Sequence, residues 1–409
     1  MNEPQQHGVV IVGSGQGGFA VAAELRKRGY AGPVTMVGEE PGLPYQRPPL
    51  SKAYLSERRA DRLPFRPAEF FADNDIALMD GVRVDALDRK KQTVRLSNGH
   101  ELPYDHLVLA TGTRLRMPPL DGVNLGGVVG LRTLAHADDV GDRLRAASRV
   151  TVIGGGFIGL EIATAARKAG AEVTVVEMAD RLMARAVSPP VSSKFLDLHH
   201  AMGTRIHLGT TVSRINGDEV ATGITLADGL DVPADLVVVG TGVAPNVELA
   251  DAVGITCENG ILVDDDLLTS DPAISAIGDC AAHVHRPSGV RVRLESVQNA
   301  ADQGRAVAAR LMGESAPYDE VPWFWSDQAG AKLQIAGLAP GADEHVVVNG
   351  GDSMHVVSFT NDRLVAVEAI DAGAQYMAAR RLLSGTVTRA DLAAFDFDLR
   401  ALMKGKRAA

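Results

Sequence analysis

The sequence is poor in cysteine and has no long apolar run. Its 409 residues contain two cysteines, Cys257 and Cys280, which excludes a disulfide framework and a Cys-x-x-Cys redox pair and favours a reducing compartment. No apolar run approaches the roughly 20 residues that a membrane helix needs, and no signal peptide precedes Val9. The net charge of −10 disfavours a general role in nucleic-acid binding. We therefore expect a cytoplasmic protein that binds neither membranes nor nucleic acid.

A glycine-rich motif occurs twice, each time directly after an apolar strand. The first copy is Gly13-Ser14-Gly15-Gln16-Gly17-Gly18, and the second is Gly154-Gly155-Gly156-Phe157-Ile158-Gly159. A strand, a tight glycine turn and a helix form a site for the pyrophosphate of a dinucleotide. Two such sites predict two bound dinucleotides, and a protein that holds both is expected to pass electrons from one to the other.

The glycines and the acid at the end of each second strand have separate tasks. The first glycine of each motif allows the turn (Gly13 and Gly154), and the middle one lets the pyrophosphate approach the backbone (Gly15 and Gly156). The last one lets the helix pack closely on the strand (Gly18 and Gly159). Glu39 and Glu177 end the second strands and are suited to bind ribose hydroxyls. Glu177 would repel a 2′-phosphate and so favours NADH, although a solvated strand-end acid is the alternative and the nearby Arg181 and Arg185 leave NADPH open.

The order of elements predicts an α/β fold with two Rossmann-like dinucleotide-binding domains and a C-terminal α+β domain. The strand predicted at 236–239 matches the one at 107–110. The first is closed by Gly240-Thr241-Gly242 and the second by Thr111-Gly112, which indicates a duplication. The proline-rich stretch 42–52 predicts a rigid loop. After about Asp319, alternating segments predict an antiparallel sheet, at 332–335, 344–348, 355–359 and 364–370, with helices from Ala374.

Seven segments together carry a family resemblance. They are PYQRPPLSKAYL (44–55), LVLATGTRLR (107–116), VIGGGFIGLE (152–161), RLM (181–183), AIGDCA (276–281), RLESVQNAADQ (293–303) and PWFWSDQ (322–328). The chain resembles the FAD-dependent NADH:ferredoxin reductases of bacterial oxygenase systems, which serve cytochromes P450 (the putidaredoxin reductase type) or aromatic-ring dioxygenases. The resemblance covers essentially the whole chain. It implies a glutathione-reductase-like architecture, with FAD bound by residues 1–116 and 241–318, NADH by 117–240, and a C-terminal domain at 319–409 near the flavin and the partner.

The resemblance also implies the site residues. Those for FAD are Gly13, Gly15, Gly17, Gly18, Glu39, Arg47, Lys52, Val84, Ala110, Thr111, Gly112, Arg132, Asp279, Ser296 and Val297. Those for NADH are Gly154, Gly156, Phe157, Ile158, Gly159, Glu177, Arg185 and Gly242. Lys52 matches the lysine near the flavin N5 edge, where Glu161 pairs with it, and Trp325 matches a residue beside the flavin. Glu39 stands where relatives often have Asp.

Several of these residues have plainer alternatives. A cation at Lys52 would stabilise charge that develops on the flavin, whereas Glu161 could be an ordinary first-turn acid favoured by the helix dipole. Ser296 is predicted to cap a helix that starts at Val297 and faces the flavin, or else merely packs. Trp325 could fill the interior of the C-terminal domain instead of lying by the flavin.

Three hypotheses for function follow. The first is transfer of electrons from NADH through FAD to a [2Fe–2S] ferredoxin, with a rubredoxin as a close variant of the partner. The second, a cysteine-assisted reductase, needs a thiolate near 47–54, where the sequence has none. The third is an NADH-dependent flavoprotein redox sensor. The sequence leaves the oligomeric state open.

The partner and metal predictions are less specific. An acidic ferredoxin would need a basic patch on this acidic protein, and the candidates are Arg291, Arg293, Arg305, Arg310 and Lys332, with an ordinary solvated surface as the alternative. The histidine pairs at 199–200 and 283/285 lack further ligands at metal-site spacing, so no metal site is predicted.

Overall fold

The computed structural model describes residues 7–314 and 316–408. Its strands are β1 (Val9–Val12), β2 (Val34–Val37), β3 (Ile76–Met79), β4 (Val84–Asp88), β5 (Thr93–Leu96), β6 (Glu101–Pro103), β7 (His106–Leu109), β8 (Thr113–Leu115), β9 (Val128–Gly130), β10 (Arg149–Ile153), β11 (Glu172–Glu177), β12 (Arg205–Leu208), β13 (Val212–Gly217), β14 (Ala221–Leu226), β15 (Asp231–Pro233), β16 (Leu236–Val239), β17 (Val243–Pro245), β18 (Cys257–Glu258), β19 (Gly260–Leu262), β20 (Ile274–Ala276), β21 (Ala281–His285), β22 (Val290–Val292), β23 (Trp323–Gln328), β24 (Ala331–Gly337), β25 (Glu344–Gly350), β26 (Ser353–Thr360) and β27 (Arg363–Ile370).

The helices connect these strands. They are α1 (Gln16–Lys27), α2 (Ala53–Glu57), α3 (Ala68–Asp73), α4 (Leu134–Ala146), α5 (Phe157–Lys168), α6 (Pro189–Ala201), α7 (Glu248–Asp251), α8 (Val297–Leu311), α9 (Gly373–Leu382), α10 (Arg389–Ala393) and α11 (Leu399–Ala408), with 3₁₀ turns at Pro48–Ser51, Ala60–Arg62 and Gly278–Cys280.

Contacts divide the chain into two units. Unit 1 contains residues 7–46, 60–114 and 243–320. Its parallel sheet has the order β20-β7-β1-β2-β3, with the small sheets β4-β5-β6 and β18-β19-β21-β22 beside it. All four residues of β1, VVIV, are buried, because apolar side chains cover both faces of the parallel sheet.

Unit 2 contains residues 47–59, 115–242 and 321–408. Its parallel sheet has the order β12-β11-β10-β16-β9, and β13-β14-β15 form a meander. Strands β10, β11 and β16 repeat the parallel arrangement of β1, β2 and β7. The paired strands thus support the predicted duplication.

The C-terminal sheet of unit 2 is antiparallel, as predicted, with the order β23-β24-β27-β26-β25. Its first strand, β23, was not predicted, because the pattern of WFWSDQ is aromatic rather than alternating. One face packs on α9, α10 and α11. The side chains of Phe324, Ser326 and Gln328 project from the opposite face, since alternate residues of a strand point to opposite sides.

The proline-rich stretch 42–52 is not entirely a loop. Residues Pro48–Ser51 form a 3₁₀ turn that leads into α2 through Lys52. Two consecutive prolines fix φ near the helical value, which makes a short helical turn as easy to form as an extended loop. This turn sets the direction in which the Lys52 side chain leaves the backbone.

Candidate functional site

The first glycine motif has the backbone of a phosphate-binding turn. Gly13 has φ +116°, and a Cβ on it would lie 2.2 Å from the carbonyl oxygen of Ala110. A Cβ on Gly18 would lie 2.0 Å from the oxygen of Gly13, whereas Gly15 faces open space. The outer glycines are therefore required for packing, and the middle one leaves room for a ligand at the N-terminus of α1.

The second glycine motif repeats this arrangement in unit 2. Gly154 has φ +113°, and its Cβ would lie 2.3 Å from the oxygen of Gly240. A Cβ on Gly159 would lie 2.3 Å from the oxygen of Gly154, whereas Gly156 again faces open space. Both turns thus fit a dinucleotide pyrophosphate, since each presents an open glycine and the free N–H groups of a helix start.

Other residues predicted to hold FAD surround the first turn in unit 1. Ala110 follows β7 and donates its N–H to the oxygen of Val12, and the Thr111 hydroxyl donates to the oxygen of Asn246 at 2.7 Å. Gly112 has φ +63°. Further out, Val84 is buried in β4, and the exposed Glu39 lies 3.7 Å from the Arg83 guanidinium.

Two hydrogen bonds order the segment around Asp279. The Gln303 side chain accepts from the Gly278 N–H at 2.7 Å, so α8 fixes the 3₁₀ turn that carries Asp279. Ser296 caps α8 by accepting from the Asn299 N–H at 3.1 Å, as predicted. The half-buried Val297 is the first residue of that helix.

Lys52 and Glu161 form an ion pair within unit 2. Lys52 Nζ lies 2.8 Å from Glu161 Oε1. The Ser51 hydroxyl donates to Glu161 Oε2 and the Ser326 hydroxyl to Oε1, each at 2.5 Å. The Glu161 side chain is 3% exposed and that of Lys52 is 20% exposed. The pairing expected from the resemblance is confirmed, and Glu161 fixes the lysine instead of acting as an ordinary first-turn acid.

Arg47 and Arg132 also lie in unit 2. An Arg47 Nη1–H donates to the backbone oxygen of Arg132 at 2.8 Å, which joins the segment 47–59 to the start of the turn before α4. Three residues predicted to contact FAD (Arg47, Lys52 and Arg132) thus belong to the same unit as the second glycine motif.

Glu177 is fixed beside the second turn. Its Oε2 accepts from the Gly155 N–H at 2.6 Å and its Oε1 from the Ala179 N–H at 2.7 Å. The exposed Arg185 approaches Gly242, on which a Cβ would lie 3.4 Å from Nη2. A carboxylate and a guanidinium therefore flank this turn, and Glu177 is more than a solvated strand-end acid.

Aromatic residues of β23 point to both faces of the C-terminal sheet. Phe324 packs on Phe157 at the start of α5, with ring centroids 4.5 Å apart, and the next residue, Ile158, is exposed. Trp323 and Trp325 lie on the other face with centroids 5.7 Å apart. Arg380 covers Trp323 at 4.7 Å. Both tryptophans are half-buried, so Trp325 is not simply a core residue.

The cysteines and the paired histidines have structural surroundings. Burial raises the pKa of the Cys280 thiol and also that of Cys257, so neither is an activated thiolate. His199 is buried and hydrogen-bonded to Gln328 at 3.0 Å. Burial lowers the pKa of His283 to about 4. Among residues 7–314 and 316–408, no group of three metal-ligating side chains is found.

Most of the predicted docking cations have local partners. The following pairs occur: Arg291 with Glu258 at 2.9 Å, Arg293 with Glu295 at 2.7 Å, and Arg305 with Asp302. Arg310 donates to the buried Ser275 hydroxyl at 2.6 Å, and Lys332 is exposed on β24. Neighbouring carboxylates thus weaken the local field of three of these arginines, and the position of the patch stays a prediction.

Sequence reasoning missed Ser51, Ser326 and Gln303, which hold Glu161 and the Asp279 turn. Ser51 adjoins Lys52, a local signal that could have indicated it. Ser326 lies 165 positions from Glu161, and no sequence pattern joins the two.

Two dinucleotide-binding turns in one chain, with no cysteine in 47–59, define an NAD(P)H-dependent flavoprotein oxidoreductase. The family model "Pyridine nucleotide-disulphide oxidoreductase" matches residues 7–304, and "Reductase C-terminal" matches residues 323–403. The chain belongs to the pyridine nucleotide-disulphide oxidoreductase family, although it lacks a redox cysteine pair.

Close relatives match the chain along nearly its whole length. It is 49% identical to rhodocoxin reductase of Rhodococcus erythropolis, over 96% of this chain and 93% of the relative. The crystal structure of the ferredoxin reductase for the CYP199A2 system from Rhodopseudomonas palustris is 45% identical, with a TM-score of 0.94 over 97% of this chain and 99% of that one. A covalent putidaredoxin reductase–putidaredoxin complex is 38% identical, with a TM-score of 0.93 over 98% and 99%.

Within residues 7–314 and 316–408, no helix is both long enough and apolar enough to cross a membrane.

Proposed function

We propose that this chain transfers electrons from NADH through bound FAD to a [2Fe–2S] ferredoxin that serves a cytochrome P450 or a ring-hydroxylating dioxygenase. The observation that carries this proposal is the pair of matching dinucleotide turns, each with an open middle glycine. Two solved relatives indicate the class of partner, since one is in complex with putidaredoxin and the other is the ferredoxin reductase of a P450 system.

The FAD-binding role falls to the first glycine motif and its neighbours, as the resemblance implies. The first glycine motif would hold the pyrophosphate, Glu39 the ribose, and Asp279 the ribityl chain. The capped N-terminus of α8 offers a positive dipole end that suits an electron-rich flavin ring. FAD supplies the conversion of a two-electron donor into one-electron transfers.

Lys52 would supply a fixed positive charge. Four features support this role: the 2.8 Å pair with Glu161, the two serine donors, the buried carboxylate and the proline-stiffened turn before the lysine. A side chain held this firmly loses little entropy when it acts. Glu161 accepts from Lys52, Ser51 and Ser326, so its role is to orient the lysine.

NADH would occupy the second glycine motif. Because Glu177 accepts two backbone N–H groups, its charge is fixed where a 2′-phosphate would be repelled. Arg185 lies across the turn beside Gly242 and is suited to contact the nucleotide. Preference for NADH over NADPH is the expected result.

Trp325 is proposed to lie beside the flavin. Its partial exposure on the face of β23 opposite Phe324 and Ser326 supports a role outside the core. We further propose that the protein is cytoplasmic, which accords with two unpaired cysteines.

An anaerobic titration tests the proposed function. Purified FAD-loaded protein should lose its flavin absorbance when NADH is added, and then reduce an oxidised [2Fe–2S] ferredoxin. The control is the same ferredoxin with NADH alone. Bleaching without transfer to any ferredoxin would favour a redox sensor, transfer to rubredoxin alone would replace the partner, and failure to bind FAD would reject the proposal.

A further inference from the structure

A carboxylate lies in an otherwise apolar row of the C-terminal sheet. Glu368, in the middle of β27, is fully buried. Its cross-strand neighbours are Ile335 on β24 and Val356 on β26, and Phe324 extends the same row. Burial of a carboxyl group costs free energy of folding unless a hydrogen-bonding group lies beside it.

That partner is the start of α6. Glu368 Oε1 accepts from the Ser188 N–H at 2.9 Å. Ser188 is the N-cap of α6 but makes no side-chain cap bond, and Pro189 and Pro190 at the first two helical positions carry no N–H. Glu368 therefore caps this helix from a distant strand. Within the described residues, Glu368 Oε2 and the Ser188 hydroxyl have no hydrogen-bond partner.

The segment 181–188, which leads into α6, folds tightly on itself. Arg181 donates to the oxygens of Ala184 and Val187 at 2.7 and 2.8 Å. The Ser192 hydroxyl donates to the oxygen of Leu182 at 2.5 Å. A displacement of Ser188 would thus be passed to the whole segment.

The same segment touches the second glycine motif. The Met183 N–H donates to the oxygen of Gly155 at 3.0 Å, and Arg185 reaches Gly242. Gln328 of the C-terminal sheet donates to Met183 Sδ at 3.5 Å and so braces the segment a second time. The nucleotide site therefore depends on contacts from residues that lie in the separate C-terminal domain of the sequence.

We propose that Glu368 is a positioning residue for NADH: it holds the start of α6 and, through segment 181–188, sets the place of Arg185 at the nucleotide site. This inference deepens the proposed function and rests on it, because it requires that NADH bind at the second glycine motif.

The protonation state of Glu368 governs how well it holds Ser188. Burial raises its pKa to about 7, while the hydrogen bond from the Ser188 N–H and the charge of Arg181 act in the opposite direction. The neighbouring strands contribute apolar residues to the surroundings of Glu368. On β25, burial and the charge of Arg181 lower the pKa of His345. An ionised carboxylate is a stronger acceptor for the Ser188 N–H than a protonated one, although burial disfavours the charge itself. The hydrogen bond that holds Ser188 is therefore firmer above pH 7 and weaker below it.

Calorimetric titration of the FAD-loaded protein with NAD⁺ at pH 6 and pH 8.5 tests this inference. Wild type should bind NAD⁺ about fivefold more weakly at pH 6, the factor expected when a hydrogen bond to a charged acceptor becomes a neutral one. Glu368→Gln imitates the protonated acid and should bind with the pH 6 affinity at both values. Glu368→Leu should bind weakly at both, with faster hydrogen exchange in 181–188.

Controls separate this role from general effects. Glu344, on β25 of the same sheet, pairs with Arg389 at the surface, and Glu344→Gln should leave the affinity and its pH dependence unchanged. His345→Gln should retain the pH dependence. The inference is overturned if Glu368→Gln keeps the wild-type pH dependence. If wild type binds no NAD⁺ at all, the proposed function fails as well.

Discussion

Removing the charge of Lys52 should destabilise unit 2 more than removing that of Glu161. The two charges lie 2.8 Å apart, but the Glu161 side chain is 3% exposed and that of Lys52 is 20% exposed. Lys52→Met leaves a buried carboxylate with two serine donors. Glu161→Gln leaves an ammonium group that water can reach.

The magnitude follows from these surroundings. At 2.8 Å and an effective dielectric constant of about 20, the attraction is about 6 kcal/mol before desolvation is subtracted. Loss of one partner from a buried pair costs about 3–5 kcal/mol. The serine donors offset part of this for Glu161, so we expect about 3 kcal/mol for Lys52→Met. For Glu161→Gln, which keeps its shape and leaves a hydrated lysine, we expect about 1 kcal/mol.

Urea unfolding followed by tryptophan fluorescence measures both changes. Trp323 and Trp325 lie in β23 next to Ser326, so the signal reports the unit that holds the pair. The double variant should be more stable than Lys52→Met alone, since the unpaired carboxylate is gone. Equal or greater destabilisation by Glu161→Gln would refute the argument from burial.

The same variant tests the role of the charge in electron transfer. Lys52→Met should slow flavin reduction by NADH in stopped-flow measurements, because a cation that stabilises developing charge has been removed. An unchanged rate constant would leave Lys52 with a structural role alone.

Four further outcomes are expected. Gly156→Ala, at an open position, should fold normally yet bind NAD⁺ more weakly in calorimetry, whereas Gly154→Ala meets a carbonyl at 2.3 Å and should yield little folded protein; equal yields would contradict the packing argument. Glu177→Gln should lower the ratio of kcat/KM for NADH to that for NADPH, and an unchanged ratio would remove this residue from coenzyme choice. Charge reversal of Arg291 should slow ferredoxin reduction but not ferricyanide reduction if the residue belongs to the docking patch; equal slowing of both would reject docking there. Burial raises the pKa of Glu368 from 4.5 to about 7, so the contribution of this group to the free energy of unfolding is complete below pH 4.5 and is lost as the pH rises through 7. Glu368→Gln should therefore raise the free energy of unfolding by up to about 3 kcal/mol at pH 8.5 and little at pH 4.5, as urea unfolding at the two pH values would show.

The sequence was sufficient for features that depend on neighbouring residues. The two glycine turns each lie within six consecutive residues between a strand and a helix, and their backbone dihedral angles follow from the absence of a side chain at Gly13 and Gly154. The cap at Ser296 is equally local. Where local patterns conflicted, prediction failed: WFWSDQ forms the strand β23 because tertiary packing on α5, and not alternation, selects that conformation.

The tertiary structure alone decided which polar groups meet. Ser51, Glu161 and Ser326 come from three distant parts of the chain, and Glu368 meets Ser188 from 180 positions away. A sequence shows that a glutamate can cap a helix or pair with a lysine, but burial makes the partner obligatory, and burial depends on how sheets and helices pack. The sequence by itself therefore determined that two dinucleotides bind, whereas the fold determined which side chains hold the lysine and the nucleotide segment in place.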